Sequence, residues 1–252
     1  MNNSIFSYEN GVAVVTGGTK GIGKEIALML GKANFKVAII GQNEERGMAV
    51  TREITEGGGS ASFFKCDVSD DVKCRELFDK ISSWSSNICC LVNCAGILTS
   101  TPLLEITREE WDRVIAVNLT GTFFMIQAAI PYLKQAQFGR IINISSNAGR
   151  MGGYANSQSY TATKGAIISI TKGIARQLAP LGITCNVVCP GTTETEMVSQ
   201  YSEETKKELI SRIPLSRLGS CSEVASAVCY LSSIESGFIT GATLDVNGGL
   251  YM

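Results

Sequence analysis

Along the 252-residue chain, short runs that are nearly all apolar and rich in β-branched residues alternate with longer segments whose apolar positions recur at helical spacing. The runs VAVVT (12–16), KVAII (36–40), ASFFKCD (61–67), ICCLVN (88–93), RIINIS (140–145), ITCNVVC (183–189) and TLDV (243–246) are predicted strands. Helical patterns lie between them at 21–33, 43–57, 69–84, 107–137, 158–179, 202–211 and 222–233, the 107–137 stretch reading as two helices or one bent one. This alternation predicts an α/β fold in which a doubly wound, seven-stranded, mostly parallel sheet carries helices on both faces. Nearly all-apolar strands agree, because a sheet covered on both sides has no polar face. No repeat, low-complexity tract or linker divides the sequence, so a single domain over 1–252 is expected.

Composition narrows the function. The chain is 44% hydrophobic and 18% charged with a net charge of −1, which describes a folded core without a field that would draw nucleic acid or an anionic membrane surface. No stretch reaches about eighteen uninterrupted apolar residues. The start, MNNSIFSYENG, lacks the basic and apolar regions of a signal peptide, so a cytoplasmic location is expected. Nine cysteines occur with no C-x-x-C, a pattern of reduced, packed thiols, and Cys185 and Cys189 read as small buried hydrophobes. No metal site is expected. There is no histidine, which removes Ser-His-Asp hydrolysis, zincin motifs and every imidazole base. Acid–base chemistry must therefore use Tyr, Lys, Asp, Glu or Cys.

In parallel α/β sheets, ligands sit beyond the carboxyl ends of the strands, at a switch in strand order. The loop TGGTKGIG (16–23) follows the first predicted strand and opens a helix. Gly17, Gly21 and Gly23 permit a tight turn and a close approach of backbone to a pyrophosphate, which the helix N-terminus would hold in the Rossmann manner. The spacing is G-x3-G-x-G, distinct from the commoner G-x-G-x-x-G. Farther on, SYTATKGA (159–166) puts Tyr160 and Lys164 one helical turn apart, where their side chains are neighbours. A nearby ammonium favours the phenolate and would lower the phenol's pKa.

These stretches have company. TGGTKGIG, CDV (66–68), NCAG (93–96), Asn118 in AVNLTGTF, Ser145–Ser146, YTATK (160–164), PGTTET (190–195) and the ending ITGATLDVNGG (239–249) stand in the order and spacing of the short-chain dehydrogenases/reductases. The chain resembles that family over essentially its whole length. The resemblance implies a cofactor half of about 1–140 and a catalytic and substrate half of about 141–252. It implies that Tyr160 acts as general acid to a carbonyl, or as base to an alcohol, with Lys164 lowering its pKa and binding the nicotinamide ribose. Ser146 would hydrogen-bond the substrate oxygen, and Asn118 would hold a water in a proton path from Lys164. Thr19, Lys20 and Ile22 would lie in the phosphate loop, with Asp67 and Val68 at the adenine. Asn93, Ala95 and Gly96 would line the adenosine ribose, and Pro190, Gly191, Thr193 and Thr195 would bracket the nicotinamide. Cys94 departs from the usual NNAG and could loosen the bonding at the strand end.

Cofactor choice turns on the end of the second strand, where a carboxylate binds the ribose 2′-OH of NAD and repels the phosphate of NADP. Here IIGQNEER offers Gly41 and Gln42, with no carboxylate before Glu44, and Lys20 stands at a position often basic in NADP enzymes. NADP is expected over NAD. The stretch IPLSRLGSCSEVA (213–225) most resembles the 3-oxoacyl-(acyl carrier protein) reductase group. That implies a 3-oxoacyl thioester, possible carrier-protein binding and a homotetramer built on 107–137, 158–179 and the last strand. However, Gln137 and Leu181 replace arginines that commonly meet the carrier protein, a role Arg150 and Arg217 could take over. The loop after Ser146 is one residue longer than in the closest such enzymes. Asn147, Asn156, Ser157 and Gln158 would suit a hydroxylated substrate, while Met151, Tyr154, Met197 and Tyr201 would suit an acyl chain. A sugar or polyol dehydrogenase is the alternative; a nucleotide-binding scaffold without activity is the alternative of another class.

Overall fold

The computed structural model describes residues 11–153 and 158–252, the side chain of Met197 excepted. Strands β1 (Val12–Thr16), β2 (Lys36–Gly41), β3 (Ser60–Lys65), β4 (Ile88–Asn93), β5 (Gly139–Ile144), β6 (Ile183–Pro190) and β7 (Thr243–Val246) form one sheet in the order β3-β2-β1-β4-β5-β6-β7. Every neighbouring pair is parallel, so the sheet is wholly rather than mostly parallel. Helices α1 (Gly21–Lys32), α2 (Glu44–Glu56) and α10 (Cys221–Ser232) cover one face. Helices α3 (Asp71–Trp84), α5 (Gly121–Leu133) and α7 (Gln158–Leu178) cover the other.

Alternation along the strands divides the core between these layers. Val12 and Val14 pack with Phe78, Met125 and Leu178, whereas Ala13 and Val15 pack with Ile26, Leu30, Val50 and Val228. Both faces of β1 are thus fully buried, and this is why its sequence shows no polar position before Thr16 at its end. Polar side chains start several helices: Asn43, Asp70 and Ser220 accept backbone N–H groups of the first turns of α2, α3 and α10, and Ser220 with Glu223 completes a capping box.

The 107–137 stretch is neither two separate helices nor one simple bend. Helix α4 (Arg108–Ile115) runs into a π-helical turn, Ala116–Thr120, and on into α5 as one continuous rod. Among the described residues, this rod is the one helix long and apolar enough to cross a membrane, and half of its most apolar window is buried inside the fold. Two short helices that periodicity did not predict, α6 (Ala148–Met151) and α8 (Glu196–Ser199), sit in the loops after β5 and β6. Helix α9 (Glu203–Ser211) follows.

Candidate active site

Strand order reverses between β1 and β4, and the loops leaving these strands part to form a cleft of about 410 Å³. Thr16 and Asn93 are register partners at the strand ends. The Thr16 hydroxyl accepts from the N–H groups of both Cys94 and Ala95, at 3.0 and 3.1 Å, and so holds the NCAG turn open. That turn is fixed through its backbone, so cysteine in place of asparagine at 94 does not undo it. Gly17 (φ 65°) lies against this turn: a Cβ there would stand 2.8 Å from the Ala95 Cα. A Cβ on Gly23 would meet the Gly17 carbonyl oxygen at 2.3 Å. Gly21 (φ 52°) differs, since its nearest neighbour would be the Thr195 methyl at 3.7 Å. The loop is therefore packed from behind and open in front, and no side chain caps α1. Amides left free at such an end suit a diphosphate.

Thr19, Lys20, Ile22, Ala95, Gly96, Pro190, Gly191, Thr193 and Thr195 line this cleft together with the three loop glycines. It also contains Ser146, Tyr160 and Lys164. Expected site residues from both halves of the chain thus meet in one cavity, whose glycine-rich loop and free helix end suit a dinucleotide.

At its inner end, Lys164 is only 4% exposed, and its ammonium donates to the Ile144 carbonyl at 2.8 Å. The Ser145 hydroxyl donates to the Lys164 carbonyl at 2.7 Å, tying the start of α7 to the end of β5. Lys164 Nζ stands 5.5 Å from the centre of the Tyr160 ring. Ser146 follows β5; its hydroxyl accepts the Ala148 N–H at 3.1 Å and is hydrogen-bonded to Tyr160. The lysine does not lower the phenol here as expected. Burial pushes the Tyr160 pKa up, with the bond to Ser146 pulling the other way, because the ammonium points at a backbone carbonyl instead of the phenol oxygen. Burial likewise brings Lys164 down to about 8.

Asn118 lies fully buried in the π-helical turn. Its Oδ1 accepts from Ile97 N–H at 2.8 Å, and its Nδ2 donates to the Ile97 carbonyl and Thr163 Oγ1 at 3.0 and 3.2 Å. Both amide protons are engaged, so Asn118 can meet a water only through oxygen. Gly96 leaves the space between Asn118 Oδ1 and Lys164 Nζ, 3.4 and 3.6 Å from where its Cβ would be. A π turn at a functional position has precedent in many helices.

Other expected residues sit elsewhere. Gln42 is exposed at the end of β2. The Asp67 carboxylate accepts from Ser69 N–H and Oγ at 3.0 and 2.7 Å, and Val68 is buried in the core. Asn93 does not present its amide to the cleft: Nδ2 donates to Asn143 Oδ1 at 2.9 Å, joining β4 to β5. Arg150 and Arg217 are not free surface cations. Arg150 is paired with Asp245 at 3.2 Å and stacks on Tyr251, and Arg217 grips both carboxylate oxygens of Glu223. Asn147 and Tyr201 line the cleft, whereas Met151 and Gln158 are exposed. Tyr154, Asn156, Ser157 and the Met197 side chain lie outside the described residues. All nine cysteines are free, Cys185 and Cys189 among the buried ones. Sequence reasoning assigned no role to Thr16, Ser145 and Thr163, which position the site through hydrogen bonds; all three stood inside quoted motifs, but their partners are distant in sequence.

Comparison with known proteins agrees with this geometry. Residues 17–251 match the family model described as enoyl-(acyl carrier protein) reductase. The 3-oxoacyl-[acyl-carrier-protein] reductase FabG of Staphylococcus aureus is 39% identical over 243 residues, covering 95% of this chain and 98% of that one. Its namesake in Escherichia coli is 36% identical over 248 residues, covering 98% and 99%. The crystal structure of a 3-oxoacyl-[acyl-carrier protein] reductase from Brucella melitensis superposes with a TM-score of 0.91 at 37% identity, covering 97% of this chain and 92% of that one. A dehydrogenase/reductase from Sinorhizobium meliloti gives 0.92 at 35% identity, covering 98% and 97%. The chain belongs to the short-chain dehydrogenase/reductase family of oxidoreductases.

Proposed function

We propose that the protein reduces the keto group of a 3-oxoacyl thioester with NADPH, acting as one catalytic unit over 1–252 with its cofactor half at about 1–140 and its catalytic half at about 141–252. The observation that carries this reading is the trio Ser146, Tyr160 and Lys164, with Lys164 buried, at the inner end of a cleft that suits a dinucleotide. When bound, the nicotinamide supplies the hydride. The remaining tasks fall to the chain's own side chains. Tyr160, held protonated by burial, donates its proton to the carbonyl oxygen, and Ser146 hydrogen-bonds the same oxygen. Lys164 keeps its positive charge at neutral pH even with its pKa near 8, and stabilises the phenolate once its ammonium turns from the Ile144 carbonyl toward the phenol oxygen. Tyr160 is then reprotonated from solvent by way of Lys164, through a water held at the oxygen of Asn118 in the space that Gly96 leaves open.

Ile97, Leu98, Val198, Tyr201 and Leu209 give the outer cleft an apolar lining, which favours an acyl chain over a sugar. The names of the relatives point the same way. Lacking free arginines at 150 and 217, the chain should meet an acyl carrier protein weakly and accept thioesters of smaller carriers as well. Tyr160→Phe removes only the donated proton; turnover should fall at least about 100-fold while NADPH binding, followed by its fluorescence, changes little. Near-normal turnover would remove Tyr160 from the mechanism.

The protein also self-associates in this reading. Trp111 and Phe123 on the long rod and Phe238 beside β7 are 38%, 42% and fully exposed, more aromatic surface than an isolated protomer needs. Light scattering should give four times the chain mass of 26.9 kDa, and a monomer would contradict this.

A further inference from the structure

One ion pair ties the start of α2 to the wall of the cleft. Arg46 Nη1 donates to Glu196 Oε2 at 3.2 Å, across 150 residues of sequence. Arg46 lies in the first turn of α2, where its backbone N–H bonds Asn43 Oδ1 at 2.9 Å, a few residues after the exposed Gln42. Glu196 opens α8 and lines the cleft. The pair therefore spans from the β2 end, where the adenosine ribose of a dinucleotide arrives in a sheet of this order, to the short helix beside the substrate space.

The neighbouring charges leave Arg46 a specific role. Lys24 is held by Glu53 at 2.8 Å, and the exposed Glu44 and Glu45 carry the wrong sign for a phosphate. Lys20, at the phosphate loop, and the buried Lys164 are the basic groups that line this cleft, and Arg46 stands beside it on the lining residue Glu196. The side chains of Arg46 and Glu196 are 48% and 63% exposed, so their attraction is screened by water and easily exchanged. A guanidinium prefers the dianionic, multidentate oxygens of a phosphate to one exposed carboxylate oxygen.

We propose that Arg46 reads the 2′-phosphate of NADP(H) and that Glu196 is its resting partner. Binding of the phosphate draws Arg46 off Glu196 and frees α8, whereas the 2′-hydroxyl of NAD(H) leaves the pair tied. Arg46 is thus the specificity residue that the missing basic side chain at Gln42 called for, and Glu196 links cofactor choice to the substrate side of the cleft. The inference rests on the NADP reading given above.

The test is direct binding of NADPH, NADH and 2′,5′-ADP to the intact protein, by cofactor fluorescence and by calorimetry. Arg46→Gln should weaken NADPH and 2′,5′-ADP at least about tenfold and leave NADH within about twofold. Glu196→Gln should tighten NADPH and 2′,5′-ADP by about two- to fivefold, the range open to an exposed pair, without tightening NADH. Equal loss of both dinucleotides in Arg46→Gln, or no loss, overturns the assignment of Arg46; no change in Glu196→Gln overturns the latch. The wild-type ratio separates the two readings: tighter binding of NADH than NADPH overturns the NADP reading itself, whereas tighter NADPH with an unselective Arg46→Gln overturns only the role of Arg46.

Discussion

Replacing Lys164 with methionine keeps most of the side chain's length and removes an ammonium that the fold holds at 4% exposure. Burial carries the lysine from 10.5 to about 8, a difference of about 3 kcal/mol between its two protonation states. A folded-state pKa below the unfolded one means that the unfolded chain binds more protons between the two values, so stability rises with pH across that window. The wild type therefore carries the full cost of the buried charge below pH 8 and sheds it between pH 8 and 10.5. The variant has no such group. It loses the 2.8 Å bond to the Ile144 carbonyl, at a cost of about 1–3 kcal/mol, and this loss is the same across the window because a neutral amine also donates. The two effects roughly cancel at pH 7. By pH 10 the wild type should be the more stable by about 2–3 kcal/mol. Urea unfolding of both proteins at one concentration and at pH 7, 8, 9 and 10 measures this difference. A gap that stays constant over the series would refute the claim that Lys164 is buried with its charge at a cost.

Asn118→Ala should destabilise by about 2–4 kcal/mol, since it strips partners from the Ile97 N–H and carbonyl and from Thr163. Thermal unfolding with and without NADPH would show it, and a loss under about 0.5 kcal/mol would mean that the π-helical turn holds its shape without the amide.

The architecture was legible because both faces of β1, β4 and β6 are buried, which leaves uninterrupted apolar runs whose limits the structure reproduces to within a residue. The cofactor loop was legible because backbone geometry demands glycine at 17 and 23, where a Cβ would strike neighbouring backbone. The π-helical turn was not, because its residues AVNLT have the same apolar spacing as the α-helix on either side. Nor were the ways in which Asn93, Arg150 and Arg217 are engaged: their partners Asn143, Asp245 and Glu223 belong to other elements or to the far side of a turn, and no local pattern announces them. Lys164 shows the limit most clearly. Its spacing from Tyr160 marks the pair, but only the position of the Ile144 carbonyl reveals where the ammonium points.

The proposed role of the Ser146–Tyr160–Lys164 centre is reduction of a 3-oxoacyl thioester. Its most direct test is NADPH oxidation at 340 nm by the purified protein, with acetoacetyl thioesters of carrier protein and of coenzyme A run beside a set of keto-sugars. The account predicts turnover of both thioesters, abolished in Tyr160→Phe, and little activity on the sugars. Turnover confined to the sugars, or none with any carbonyl although NADPH binds, would contradict it.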